Sequence, residues 1–199
     1  MSENFEASQK VQSEAFEELT RIGNQARNSA SWFYIITVSS LINSLLFLLS
    51  WNLDFDMGLA ITQLIDGFAF NLASEFDPPI STIILLSGFV LSILMSGLFA
   101  LFGYFGRKKY AQAFIIGMVI YGLDTLIFLF FGDFLGVALH IFVFLIFLTG
   151  YQRLRKLRLA EQEGIEILLE TPSTKIQVRD RKFWRDLLAA VLLLILPVI

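Results

Sequence analysis

The sequence contains no cysteine and only one histidine. Without cysteine there is no disulfide, no thiolate zinc site, no cysteine-ligated iron–sulfur cluster and no thiol nucleophile. A single histidine does not supply the ligands of a His-rich metal centre. The phosphate-binding loop, the dinucleotide fingerprint and the HExxH zinc motif are also missing. The sequence therefore predicts no catalytic residues, no metal ligands and no cofactor, and we expect a protein that is not an enzyme.

An excess of charge of one sign is lacking as well. The chain has 15 Lys and Arg against 18 Asp and Glu, for a formal net charge of -3. This balance predicts no nucleic-acid partner. Apolar residues, in contrast, make up 56% of the chain, above the roughly 45–50% of a soluble domain. Because the excess falls in long blocks, the sequence predicts a multi-pass membrane protein whose first partner is the lipid bilayer.

The predicted fold class is all-α, an integral membrane bundle of four transmembrane helices with a possible fifth, membrane-inserted helix at the C-terminus. Each of the four main blocks is about long enough to cross a bilayer as a helix rising about 1.5 Å per residue. They cover residues 31–51, 80–106, 110–131 and 134–151. The last run, 187–199, makes only about 20 Å of helix, so whether it crosses fully stays open. The predicted organisation is an N-terminal amphipathic segment at 1–30, the bundle at 31–151 with a loop at 52–79, a basic segment at 152–185 and the membrane-inserted run at 186–199.

Weaker patterns lie between and outside these blocks. Residues 1–10 are predicted to be disordered, and an apolar stripe from Val11 onward predicts an amphipathic helix outside the membrane. Within the 52–79 loop, an apolar stripe predicts a short helix on the membrane surface or at the bundle mouth, with Asp66 off its apolar face. After residue 150 we expect a helix that ends at Gly164, followed by short β-like runs at 165–170 and 175–179.

Lysine and arginine are confined to three regions of the sequence. Three precede the first block, three lie in the 106–110 turn and nine follow Gly150, whereas the 52–79 loop and the Gly132-Asp133 turn have none. The positive-inside rule therefore predicts that the N-terminus, the 107–109 turn and the 152–185 segment are cytoplasmic. The polar, glutamate-rich residues 1–31 do not resemble a cleaved leader, so the first block is expected to act as an uncleaved signal anchor.

Small residues recur at helical spacing in two of the predicted spans. Gly88, Ser92, Ser96 and Ala100 lie four apart on the second span, a seam that lets another helix approach closely. On the fourth span, Gly132, Gly136 and His140 share one stripe. We expect these glycines to bring the third and fourth spans together.

Each arm of the last hairpin carries one ionisable residue, Asp124 and His140, eight residues either side of Gly132. Asn43 and Ser87 lie at a similar distance from the ends of the first and second spans. All four are expected about 10–12 Å inside the outer boundary. We predict direct contact between Asp124 and His140, with Asn43 or Ser87 as a third member. This polar layer is either a structural hydrogen bond or a protonatable functional site.

The same hairpin resembles one in small bacterial multi-pass membrane proteins. The pattern is Leu123-Asp124, then Gly132-Asp133-Phe134-Leu135, then His140 among aromatic residues, and Gly150 before a basic segment. The resemblance covers about a fifth of the chain. It implies a bacterial inner (plasma) membrane location, but that grouping is uncharacterised in activity, so it implies no functional residue.

Three functions remain to be weighed. The first is a non-enzymatic accessory, scaffold or assembly factor that binds a protein partner or forms a homo-oligomer, and it accounts best for the small-residue seam and the helical flanks. The alternative is a small proton- or solute-coupled transporter that uses Asp124 and His140. An intramembrane hydrolase fits poorly. Met95-Ser96-Gly97 resembles part of the rhomboid serine motif, but Leu94 replaces its leading glycine, and Ser96 and His140 differ in depth by roughly 13 Å.

Overall fold

In the computed structural model, residues 2–49, 58–168, 183 and 185–190 are described. Most of these residues are helical and none of them lies in a strand, so the fold is an all-α helical bundle. Four of the helices are long and apolar enough to cross a membrane, which makes this an integral membrane protein. The helices are α1 (Ser2–Leu48), α2 (Ala60–Ala73), α3 (Ile80–Arg107), α4 (Ala111–Phe131) and α5 (Phe134–Leu168).

Helix α1 is continuous over 47 residues. The disorder predicted for residues 1–10 is wrong from Ser2 onward, and the predicted amphipathic helix and first span form one helix. No proline lies before Leu48, so nothing in the backbone interrupts the hydrogen bonding. The sequence changes from mostly polar to mostly apolar near residue 30, but the helical conformation continues through this change.

The turn between α4 and α5 is built by two adjacent residues. Gly132 adopts a left-handed conformation, with φ of 73°, and ends α4. The carboxylate of Asp133 then accepts a hydrogen bond from the Gly136 N–H at 2.9 Å and caps the start of α5. We call this end of the bundle, with Asp133, Glu75 and Asp77, the acidic end, and the end at the 107–109 turn the basic end.

Helix α5 runs further than the sequence predicts. It passes through Gly164 and is described to Leu168. The predicted helix end at Gly164 is therefore wrong, and so is the β-like run predicted from residue 165, over the residues up to 168. One glycine costs a helix only about 1 kcal/mol, and the preceding turns already propagate the helix. The remainder of the predicted hairpin, at 169–182, lies outside the described residues.

The bundle is centred on aromatic side chains from α1, α3, α4 and α5. Phe33 is fully buried and stacks on Phe147, with 3.8 Å between ring centroids. Its ring also contacts Phe99, Phe102 and Phe114. These contacts fix the positions of the other three long helices, α3, α4 and α5, around α1.

The C-terminal part of the chain returns to the bundle at the basic end. Phe183 is fully buried, and its ring centroid lies 5.5 Å from that of Phe105 and 5.4 Å from that of Tyr110. Leu187 and Ala190 pack on the same cluster. The start of the predicted membrane-inserted run therefore lies against α3 and α4. Residues 191–199 lie outside the described chain, so a fifth span stays a prediction.

Helix α2 begins inside the bundle. The N–H of Leu59 donates to Ser40 Oγ at 2.8 Å, and the N–H of Ala60 donates to Asp124 Oδ2 at 2.9 Å. Ser40 and Asp124 precede the ends of α1 and α4 by eight and seven residues, which is about 10–12 Å along a helix. From that depth, α2 rises along α3 to the acidic end.

The predicted place of this helix, on the membrane surface or at the bundle mouth, is therefore wrong. Its apolar stripe points outward, since Leu64, Phe68 and Leu72 are exposed. The opposite face is buried and carries Ala60, Thr62, Asp66, Ala69 and Ala73. Small residues let α2 lie close to α3, and Asp66 finds hydroxyl partners inside. The large apolar side chains remain free to contact lipid.

Candidate functional site at Asp124 and His140

One face of α4 and one side chain of α5 build the polar site. Tyr121, Asp124 and Phe128 recur at helical spacing and share a face of α4. The His140 ring lies between the two aromatic rings of that face. Its centroid is 4.3 Å from Tyr121, nearly parallel, and 4.6 Å from Phe128. The aromatic walls hold the imidazole in one orientation.

Asp124 and His140 are in direct contact, as the equal spacing about Gly132 predicts. His140 Nε2 lies 3.1 Å from Asp124 Oδ2, and both side chains are buried. Asp124 also accepts hydrogen bonds from the backbone of α2: from Ala60 through Oδ2 and from Ile61 through Oδ1, each at 2.9 Å. The carboxylate thus joins three helices.

The role of Asp124 toward α2 is that of a cap supplied by another helix. The first N–H groups of a helix have no partner within it, and the helix dipole favours negative charge at that end. Leu59, the residue before α2, makes no side-chain cap. Asp124 supplies the missing acceptor from more than sixty residues away. The α2 backbone is therefore a member of the polar layer.

The hydrogen-bond partners determine the proton count of the pair. His140 Nδ1 lies 2.9 Å from the Gly136 carbonyl oxygen. A carbonyl oxygen only accepts, so Nδ1 carries a hydrogen. The contact between Nε2 and Oδ2 requires a second proton between those atoms. Whichever atom holds that proton, the pair is neutral overall, which suits a buried site.

Of the two residues predicted as third members, Ser87 does not join the pair. Its side chain is exposed, and its hydroxyl donates to the Ile83 carbonyl on its own helix at 2.8 Å. The prediction for Ser87 is wrong because depth along a helix does not determine which face a residue occupies. Asn43 is buried on α1, between Ser40 and Ser44.

The small-residue seam of α3 is where α1 and α2 pack. A Cβ added to Gly88 would lie 2.5 Å from the Ala69 Cβ. Ser92 donates a hydrogen bond to Asp66 Oδ1 at 2.8 Å. The carbonyl of Ser96 accepts one from Thr37 at 3.1 Å.

The two glycines of the last hairpin have different roles. A Cβ on Gly136 would meet Asp133 Oδ2 and the Phe128 ring, each at 2.6 Å. Gly136 therefore allows α4 and α5 to approach. A Cβ on Gly132 would meet nothing within 4 Å. The expectation that Gly132 also permits close packing is wrong, because its role is the left-handed helix end.

Sequence reasoning missed Tyr121, Asp66 and the insertion of α2. One signal was present. Residues 58–73 form an apolar run with a single charge, and a run of about 10–14 residues is typical of a buried or re-entrant helix. Nothing in the sequence distinguishes Tyr121 from the other aromatic residues. In the described chain its buried hydroxyl makes no hydrogen bond.

A groove of about 480 Å³ opens beside the site, between α2 and α4. Its apolar lining includes Leu64, Phe68 and Ile127, and its polar lining includes Gln63 and Asp133. Ala60, which donates to Asp124, also lines it. Among the described residues no group of three His, Cys, Asp or Glu side chains is placed to hold a metal ion. The arrangement can hold and transfer a proton.

Comparison with protein-family models, with curated proteins and with solved structures finds no match to this chain. What can be inferred about function therefore depends on the geometry of the helices and of the buried pair.

Proposed function

We propose that this protein is a non-enzymatic accessory, scaffold or assembly factor of a membrane complex, and that it resides in a bacterial inner membrane with its N-terminus in the cytoplasm. The supporting observation is that the hydrogen-bonding atoms of the polar pair all have partners within the fold. Both Asp124 oxygens accept hydrogen bonds, and both His140 ring nitrogens have partners. A pair committed to holding α2, α4 and α5 together is a structural element.

The helical extensions at the basic end give this function its surfaces. Where α1 and α5 pack together, Leu154 and Leu157 are buried and Arg153 donates to Ser29. Nearer its N-terminus, α1 presents exposed side chains, among them Phe16 with 71% of its surface exposed. An exposed aromatic side chain on this amphipathic helix supplies the kind of anchor that protein partners bind.

The test is purification from native membranes in mild detergent. We expect either a stoichiometric protein partner or a defined homo-oligomer with wild-type protein. Phe16→Ser should weaken that association while the unfolding temperature stays unchanged. Glu14→Ala, on the opposite side of the same helix, is the matched control and should bind as wild type. A monomer that retains no partner under any mild extraction condition would contradict the proposal.

The alternative function is a small proton- or solute-coupled transporter that uses Asp124 and His140. The observation that favours it is the start of α2 inside the bundle, with a carboxylate at its N-terminus. Transporters place ion and substrate sites at helix ends that lie within the membrane. Flux measured in proteoliposomes separates the two functions. Solute or proton flux that disappears in Asp124→Asn, with the fold retained, would support transport.

A further inference from the structure

A second buried carboxylate, Asp66, plays no part in the Asp124 and His140 pair. It lies on the inner face of α2 and is 6% exposed. Ser44 of α1 bonds to its Oδ2 at 2.5 Å, and Ser92 of α3 donates to its Oδ1 at 2.8 Å. The Ser92 hydroxyl is also 3.4 Å from the Thr62 carbonyl oxygen. Asp66 is thus the polar link between α2 and the two helices on either side of it.

No positive charge accompanies Asp66 in the described helices that pack around it. Helix α1 has no charged residue from 28 to 48, and α3 has none before Arg107 at the basic end. Tyr34 and Tyr104 also lie towards that end. Helix α4 contributes Tyr121 and Asp124, and Asp124 is paired with His140 of α5 and brings no net positive charge. On α2 itself Asp66 is the only titratable residue. An ionised carboxylate in such surroundings loses its hydration and gains no opposite charge in return.

The surroundings therefore favour the neutral acid. Burial raises the pKa of the Asp66 carboxyl, and the hydrogen bonds from Ser44 and Ser92 oppose that effect. Helix α2 has only 14 residues and does not itself cross the membrane. Its inner face is nevertheless shielded by α1 and α3.

The spacing of the oxygens indicates hydrogen bonds and leaves no room for a metal ion. Separations of 2.5 and 2.8 Å between Asp66 and the two serines are those of O–H···O hydrogen bonds in which the serine hydroxyls donate. The adjoining void measures about 10 Å³ and is otherwise lined by apolar side chains such as Phe47 and Phe89. That volume is about one water molecule, so a hydrated cation does not fit.

We propose that Asp66 is a proton-binding site that holds a neutral carboxylic acid in the closed bundle, and that loss of this proton loosens α2 from α1 and α3. The proton is carried by the Asp66 carboxyl group, whose Oδ2 also accepts a hydrogen bond from the Ser44 hydroxyl. On release it passes to water, and the carboxylate that remains recruits water or moves α2 towards the acidic end. This site is independent of the accessory function proposed above.

Infrared difference spectroscopy of the purified protein tests the protonation state directly. Wild-type protein at a pH just above the ordinary aspartate pKa should show the carbonyl stretch of a neutral carboxylic acid, and this band should disappear in Asp66→Asn. The matched variant Asp124→Asn should retain it. Identical spectra for wild type and Asp66→Asn would overturn the proposal, because they would mean that Asp66 is ionised.

The pH dependence of the unfolding temperature gives a second, independent measurement. A carboxyl group whose pKa is raised in the folded state stabilises the fold below its unfolded pKa, and that stability is lost as pH rises through the folded pKa. Wild type should therefore lose stability as the pH rises above the ordinary aspartate pKa, whereas Asp66→Asn should not. Equal slopes for the two proteins would contradict a proton site.

Ser92→Ala serves where Asp66→Asn fails to fold. Removing a donor to the carboxylate disfavours its ionised form. The pH-dependent loss of stability, which we call the transition, should therefore move to higher pH. An unchanged transition or a shift to lower pH would count against the proposal. Replacing potassium by sodium at constant ionic strength should leave the transition where it is. Stabilisation by sodium alone would overturn the proton assignment in favour of a metal site.

Discussion

At the scale of single residues, the hairpin of α4 and α5 depends on two glycines four positions apart. Gly132 ends α4 in a left-handed conformation, and Gly136 removes a side chain where the Phe128 ring approaches. The same residue type thus has a conformational role at one position and a packing role at the other.

Gly136→Ala is expected to destabilise the protein by about 1–3 kcal/mol, because the new Cβ overlaps the Phe128 ring in a packed interface. The free energy of unfolding in detergent measures this change. Gly67→Ala is the control, since a Cβ there meets nothing within 4 Å and alanine favours a helix. If both variants are equally stable, the close approach at Gly136 does not limit packing.

The coupling of Asp124 and His140 also belongs to this scale. We expect Asp124→Asn and His140→Gln to be non-additive in a double-mutant cycle on stability, with a coupling of about 0.5–2 kcal/mol. The physical reason is their shared proton, which each single variant already disrupts. Strictly additive effects would mean that the 3.1 Å contact contributes no free energy.

At the scale of the element, α2 is positioned by its polar contacts. Its N-terminus is capped by Asp124 and its middle is bonded through Asp66 to α1 and α3. Its exposed face is apolar, so the hydrophobic effect alone would not draw α2 into the bundle in this orientation. Removing the cap should therefore loosen its first turn before the rest of the fold.

Hydrogen exchange tests that expectation. In Asp124→Asn, the amides of Ala60 and Ile61 should exchange faster, because an NH2 group, which does not accept hydrogen bonds, replaces one of the two carboxylate oxygens. Peptides from α3 should exchange at the wild-type rate. Ser87→Ala is the control variant, because its hydroxyl bonds only within α3. Unchanged exchange at the start of α2 would show that Asp124 is not an effective cap.

At the scale of the whole molecule, all the basic residues fall outside the α2–α3 loop and the α4–α5 turn. The positive-inside rule predicts that the acidic end faces away from the cytoplasm.

Because the chain has no native cysteine, Ser74→Cys and Glu161→Cys each introduce a unique thiol at an exposed position. An impermeant reagent should label Ser74→Cys in intact cells and Glu161→Cys only after permeabilisation. The reverse pattern would invert the orientation.

The sequence by itself determined the long helices and the depth of their polar residues. Apolar blocks between Pro79, the 107–109 turn and Gly132-Asp133 predict the observed ends of α3 and α4 and the start of α5 to within a residue. Equal spacing about one turn places Asp124 and His140 at one level. These features are local, since they follow from chain length, helical rise and turn chemistry.

Only the tertiary structure decided which faces meet. The fourteen residues of α2 are as compatible with the membrane surface as with the bundle interior, because their apolar stripe is satisfied by lipid in both. The hydroxyl groups of Ser44 and Ser92 and the carboxylate of Asp124 turn the other face inward. These partners lie between 22 and 64 residues away, and no local pattern encodes them. The prediction that Ser87 joins the polar pair is wrong for the same reason. The spacing along α3 predicts how far Ser87 lies from the helix end, but it does not predict which face of α3 it occupies.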